Sequence, residues 1–155
     1  MSEHQAEVLW VRDGESFTDG KYSRVHVWRF DGGVEISVSA SPSVVPSPYS
    51  SEECLDPEEA FIASISSCHM LFFLSIAAKK GYVVNSYKDS AIGTLAMNNN
   101  KYSITNVKLR PVIIFEGNCQ PDRKAISEIH NESHDKCFIA NSIKTHIEIL
   151  MQSLG

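Results

Sequence analysis

At 155 residues the chain is long enough for one domain with a sizeable core, and its 43% apolar, 21% charged composition is ordinary for a globular protein. A net charge of −5 with no basic run argues against a nucleic-acid surface. The start, Met1-Ser2-Glu3-His4-Gln5, lacks the basic and apolar regions of a secretory signal. The most apolar run, Met70 to Ala78, falls far short of the roughly 18 residues of a membrane span, so no membrane partner is expected. Four cysteines without a signal, Cys54, Cys68, Cys119 and Cys137, point to reduced thiols, metal binding or redox chemistry in a cytoplasmic protein. One domain over 1–155 is expected.

Glu7 to Arg12 reads as a short strand and Gly14 to Lys21 as a polar turn region. Tyr22 to Phe30 alternates, with Tyr22, Arg24, His26, Trp28 and Phe30 on one face. Asp31-Gly32-Gly33 is a hairpin turn signal, and Val34 to Ala40 returns as a strand. Ser41 to Ser51 holds three prolines and five serines, a loop composition.

A long helix follows. Asp56 is a good N-cap, Pro57 suits the first helical position, and Glu59 completes an approximate capping box. Lys79 and Lys80 suit the negative end of the dipole and Gly81 is a natural stop. Pro57 to Lys80 is about 36 Å of helix. Phe61, Ile65, Cys68, Phe72 and Ile76 share one face, which puts Cys68 on the apolar stripe.

Val83 to Met97 then reads as a strand region with Gly93 as a bulge or bend, and Asn98-Asn99-Asn100 as a turn. Lys101 to Phe115 reads as a long strand interrupted at Pro111, with Gly117-Asn118 ending it. Pro121 to Ser133 is an amphipathic helix with Ala125, Ile126 and Ile129 inward. His134 to Ala140 is a short apolar turn or helix carrying Cys137, and Ser142 to Met151 is a final strand. The order predicts an α+β fold with antiparallel sheets and one long central helix.

Cys68 has small or polar neighbours, Ser66, Ser67 and His69, inside an apolar wall. The bland alternative is a buried core thiol. Such a cysteine reacts if a cation lowers its pKa, because the thiolate is the nucleophile. Arg24 is the best cation: it shares a strand face with Trp28 and Phe30, where an arginine needs a partner. Its alternative is a surface arginine whose stem covers apolar surface. Glu58 is the natural carboxylate for Arg24, although from the residues alone a charge complementing the helix dipole explains it better. Cys137 is the natural second thiol. Cys54 and Cys119 lie in loops and are taken as incidental. A rival metal site would use His130, His134 and Cys137, which one continuous helix would place on one face, with Cys68 and His69 completing it. No Cys-x-x-Cys or His-Glu-x-x-His motif supports that rival.

Three stretches give the chain a familiar look: Ser23 to Gly33 with Ser39-Ala40-Ser41-Pro42, Asp56-Pro57-Glu58-Glu59 with Ser66 to Met70, and His134 to Ser142. On these the sequence resembles the OsmC/Ohr family of osmotically inducible and organic hydroperoxide resistance proteins. The resemblance implies a thiol-dependent peroxidase on an intertwined homodimer with active sites at the subunit interface. It implies Cys68 as the peroxidatic cysteine, Cys137 as the resolving one, Arg24 as stabiliser of the thiolate and Glu58 as the carboxylate that holds the arginine. No cofactor is implied beyond an external dithiol reductant, and the substrate would be a small hydroperoxide. The apolar residues Phe61, Ile65, Phe72 and Trp28 favour an organic one. Two departures, Phe138-Ile139-Ala140 after Cys137 and His69 after Cys68, point to a side branch. Glu58 and Cys68 are about 15 Å apart along a straight helix, too far for one guanidinium to touch both. Arg24 and Glu58 of one chain are therefore expected to serve Cys68 and Cys137 of the other. A thiol sensor or ligand-binding protein with little turnover is the remaining rival.

Overall fold

The structure is a computed structural model and describes residues 1–151. The last four positions of the expected 1–155 domain lie outside the described residues. The chain divides into two compact units, Met1–Ala60 and Phe61–Gly155.

The first unit holds an antiparallel sheet of β1 (Ala6–Leu9), β2 (His26–Phe30) and β3 (Glu35–Val38) in the order β1-β2-β3. The hairpin turn falls where Asp31-Gly32-Gly33 predicts it, closed by Gly33 N–H to Phe30 O at 3.0 Å. Arg29 ties the sheet across its exposed face, bonding Glu7 of β1 at 3.1 Å and Glu35 of β3 at 2.6 Å. All three elements are shorter than the sequence pattern suggests. Tyr22 to Val25 in particular is not strand, and Arg24 N–H bonds Tyr49 O across to the loop instead of a sheet neighbour.

Helix α1 (Pro57–Lys79) starts on a true capping box: Glu59 N–H donates to Asp56 Oδ1 at 2.7 Å and Asp56 N–H to Glu59 Oε2 at 3.2 Å. It ends in a Schellman motif, with Tyr82 N–H on Ala77 O and Gly81 N–H on Ala78 O, both 3.0 Å. Gly81 has φ +82°, which a side chain would resist. The buried face is Ile65, His69, Phe73, Ile76 and Ala77. It is rotated from the expected stripe: Ile65 and Ile76 are on it, while Phe61, Cys68 and Phe72 flank it half-buried. The apolar stretch is also longer than Met70 to Ala78. An 18-residue window of α1 has mean hydropathy 1.8, enough by length and composition for a membrane span, yet only 28% of that window is buried within the protomer.

The second unit continues with β4 (Val83–Asp89), β5 (Ile92–Asn98), β6 (Lys101–Leu109) and β7 (Pro111–Glu116), then α2 (Arg123–Lys136), a 3-10 turn at Ala140–Ser142, and β8 (His146–Ile149). The expected single strands Val83 to Met97 and Lys101 to Phe115 are each two. Both break at one corner, where the chain leaves the β4-β7 sheet for the β5-β6-β8 sheet. Asp89 fixes that corner: Oδ1 accepts Arg110 N–H at 2.6 Å and Oδ2 accepts Ser66 Oγ–H at 2.5 Å. Pro111 opens β7, a strand position that tolerates proline. Asn99 and Asn100 both have positive φ, as a two-residue type I′ turn requires between β5 and β6. β8 pairs with β6 in parallel, the one parallel pair of strands among the described residues, beside an isolated parallel bridge of Val38 with Leu55.

Two apolar clusters form on α1. Ile65, in its first half, packs with Val107 and Leu109 of β6. Phe73, Ile76 and Ala77, in its second half, pack with Ile129 of α2 and flanking residues of β4 and β7. Cys68 and His69 lie in sequence between these two anchors.

Candidate functional site

Both expected thiols belong to the second unit, and the two helices bring them together. Cys68 is half-buried on α1. Cys137 is the C-cap of α2, with extended backbone that stops the helix and its N–H on His134 O at 3.2 Å. It is 1% exposed. The Cys137 thiol is pushed up to about 11, first by burial and second by the neighbouring Cys68. The Ala140 N–H, 3.4 Å from Cys137 Sγ, works in the opposite direction without prevailing. Near neutral pH Cys137 therefore keeps its proton and can donate it towards Cys68.

Beside this pair lies a feature that sequence reasoning missed. His69 of α1 and His130 of α2 are 2% and 3% exposed, with Nε2 of His69 2.9 Å from Nδ1 of His130. Their rings are 5.2 Å apart and nearly parallel, and Phe73 packs on His130 at 4.6 Å. Both are lowered to about 4, principally by burial. His134 lowers His69 further, while Asp89 pulls it the other way. The dyad is thus neutral above acid pH, one ring donating to the other. It bolts α1 to α2 one residue from Cys68 and two turns from Cys137. The signal was present in the sequence: His69 sits four after Ile65 and four before Phe73, and His130 four after Ile126, each a polar residue on an apolar stripe.

Arg24 and Glu58 belong to the first unit, and they do not pair with each other among the described residues. Arg24 donates from one guanidinium nitrogen to Gly20 O at 2.7 Å and to Tyr22 O, and lies 3.7 Å from the centroid of the Tyr22 ring. Its expected place on a strand face is corrected: it precedes β2, in a segment shaped by these carbonyls. The capping role at the start of α1 falls to Asp56 and Glu59, leaving Glu58 outside it. The rival metal set is not assembled: among the described residues no three His, Cys, Asp or Glu side chains converge on a metal position. His130, moreover, spends Nδ1 on His69. Cys54 is half-buried and Cys119 exposed, and neither pairs.

An α+β chain with facing thiols on two helices defines a class, and the comparisons place it. The family model of OsmC-like proteins matches residues 50–151. An OsmC-like protein of unknown function from Vibrio cholerae has 52% identity over 98% of this chain and 100% of its own, with a TM-score of 0.96. The chain belongs to the OsmC family. More distant structures share the fold: an OsmC-like protein from Mycoplasma pneumoniae has 13% identity over 97% of this chain and 96% of its own, TM-score 0.73. An organic hydroperoxide resistance protein of Bacillus subtilis has 11% identity over 97% of this chain and 98% of its own, TM-score 0.64. A search of curated proteins finds no match.

Proposed function

We propose that this chain is a thiol-dependent peroxidase that reduces organic hydroperoxides to alcohols. The observation that carries the reading is that a buried Cys137 at the end of α2 neighbours Cys68 of α1 closely enough to shift its proton affinity. Family members named as organic hydroperoxide resistance proteins support the substrate class.

In the cycle, the Cys68 thiolate attacks the distal oxygen of the hydroperoxide. The O–O bond breaks, the leaving alkoxide takes a proton to become the alcohol, and sulfur is oxidised by two electrons to a sulfenic acid. Cys137 then attacks that sulfur. An S–S bond forms, and the hydroxyl leaves as water with the thiol proton. Two exchange steps with an external dithiol return both cysteines to thiols and oxidise the dithiol. High proton affinity keeps Cys137 from competing for the peroxide, and its place beside Cys68 lets it meet the sulfenic acid.

A second copy of the chain completes the site in this reading. Helix α1 leaves a line of its apolar window exposed, with Leu71 60% exposed, and a homodimer would cover it. Arg24 carries a charge met only by carbonyls and a ring among the described residues, so it is suited to receive a thiolate from the partner.

The test is to titrate reduced protein with cumene hydroperoxide and map disulfides by mass spectrometry. A stoichiometric Cys68–Cys137 link is expected, and Cys68→Ser should consume no peroxide. Cys68 over-oxidised while Cys137 stays free would remove the two-cysteine cycle. A wild-type rate too low to measure with several dithiols would favour a thiol sensor.

A further inference from the structure

A cavity of about 330 Å³ opens between β7 and α2, and neither Cys68 nor Cys137 lines it. One wall is β7, chiefly its Pro111, Ile113 and Phe115 face, with Ile114 also lining the cavity. The other is Arg123, Ile126 and His130, one stripe of α2 by their spacing of three and four. The body of the cavity is apolar. Its charged or strongly polar lining is Arg123, Gln120 and His130, with no carboxylate among the described lining residues. His130 is almost wholly buried and has Nδ1 engaged by His69, which leaves Nε2 as the ring nitrogen an occupant can reach. Arg123 and His130 stand two turns apart, about 10 Å along the helix.

We propose that this cavity binds a small monocarboxylic acid with an apolar chain, its carboxylate on Arg123 and its chain laid along Ile126 towards His130. The volume is at the low end of the roughly 300–1,000 Å³ of small-ligand sites, too small for a nucleotide cofactor. Charge decides the class of head group. In a chain of net charge −5, this cavity presents a guanidinium and, among the described residues, no acid, so an anionic end is favoured and a cationic one meets no partner there. The apolar walls need a hydrocarbon body, which excludes a bare inorganic anion. The site goes beyond the thiol chemistry and does not depend on it.

The probe is octanoate, with octanol as its uncharged counterpart, titrated into the reduced full-length chain by calorimetry and by NMR of the histidine rings. Octanoate is expected to bind saturably and to shift the His130 ring resonances. Arg123→Met should weaken octanoate roughly tenfold or more while leaving octanol unchanged. Ile126→Trp, checked for an intact thermal transition, should abolish both. Absence of saturable octanoate binding, including through a second copy of the chain covering the cavity, overturns the proposal. So does equal binding of octanoate and octanol, or an Arg123→Met variant that binds octanoate as the wild type does.

Discussion

His69 and His130 make the fold sensitive to acid. Both rings titrate well below the ordinary histidine value, to about 4, because each is buried where a charge is poorly solvated. In the unfolded chain both would titrate near 6.5. As pH falls through 6.5 the unfolded state takes up protons first. Stability that is complete above that pH therefore drains away until about pH 4. The loss should reach up to about 3 kcal/mol per ring. Urea unfolding at a series of pH values measures it, and His130→Gln should flatten the slope between pH 4 and 6.5. An identical slope in that variant would clear the dyad of the effect. At this scale the sequence was half legible. Cys68 and Cys137 could be read as the thiols of interest, because cysteine chemistry is a property of the residue. The two histidines stood out as polar residues on apolar stripes, but their pairing could not be read, because a histidine's role depends on what faces it, and His130 is distant in the chain. Arg24 was misplaced for a related reason: alternation from Tyr22 to Phe30 looks like strand, but the Gly20 and Tyr22 carbonyls capture its side chain and bend the segment away.

Among the elements, α1 was the most legible, since its caps are local. Asp56, Glu59 and Gly81 each act within a few residues of their own position. The strands were less so. Val83 to Met97 carries nothing in its pattern to show that the chain changes sheets after Asp89, because the corner is made by Asp89 reaching Arg110 and Ser66. Gly93 sharpens the point. It reads as a bulge, and the register does slip between Thr94 and Leu95, but glycine itself answers to α1. A Cβ there would stand 2.5 Å from Ile62 Cδ1 and 2.7 Å from Cγ1. Gly93→Ala is therefore expected to destabilise the protein by about 1–3 kcal/mol through overpacking. The midpoint of chemical denaturation reads this directly; an unchanged midpoint would mean that Ile62 turns aside freely.

For the whole molecule, the clearest imbalance is on α1. Ile65, Phe73, Ile76 and Ala77 are covered, while Ala63, Ser67, Leu71 and Ser75 form an exposed line along the same helix. Small residues along such a line permit close approach of another helix, and Leu71 supplies the apolar anchor. If a second copy packs there, Leu71→Asp should weaken the dimer by roughly 2 kcal/mol or more. Sedimentation would show the shift to monomer, and peroxide consumption would fall with it. A wild-type chain that sediments as a monomer at high concentration would end the interface reading. The α+β class was legible from element order alone. The pairing of β8 was not, since periodicity tells which face of a strand is buried but says nothing of its direction.

That parallel pairing sets a timetable for the nascent chain. Hairpin β5-β6 can close as soon as it is made, since its turn is two asparagines. The far side of β6 must wait for His146–Ile149, which arrive only after all of α2 has been synthesised. Until then Val107 and Leu109 lack the strand that pairs beside them, and one edge of the hairpin stays open to any extended chain nearby. The closing strand can pair only once α2 and the 3-10 turn have followed β6 out of the ribosome. During that interval both thiols, present once Cys137 is made, are open to oxidants before the fold can shelter them.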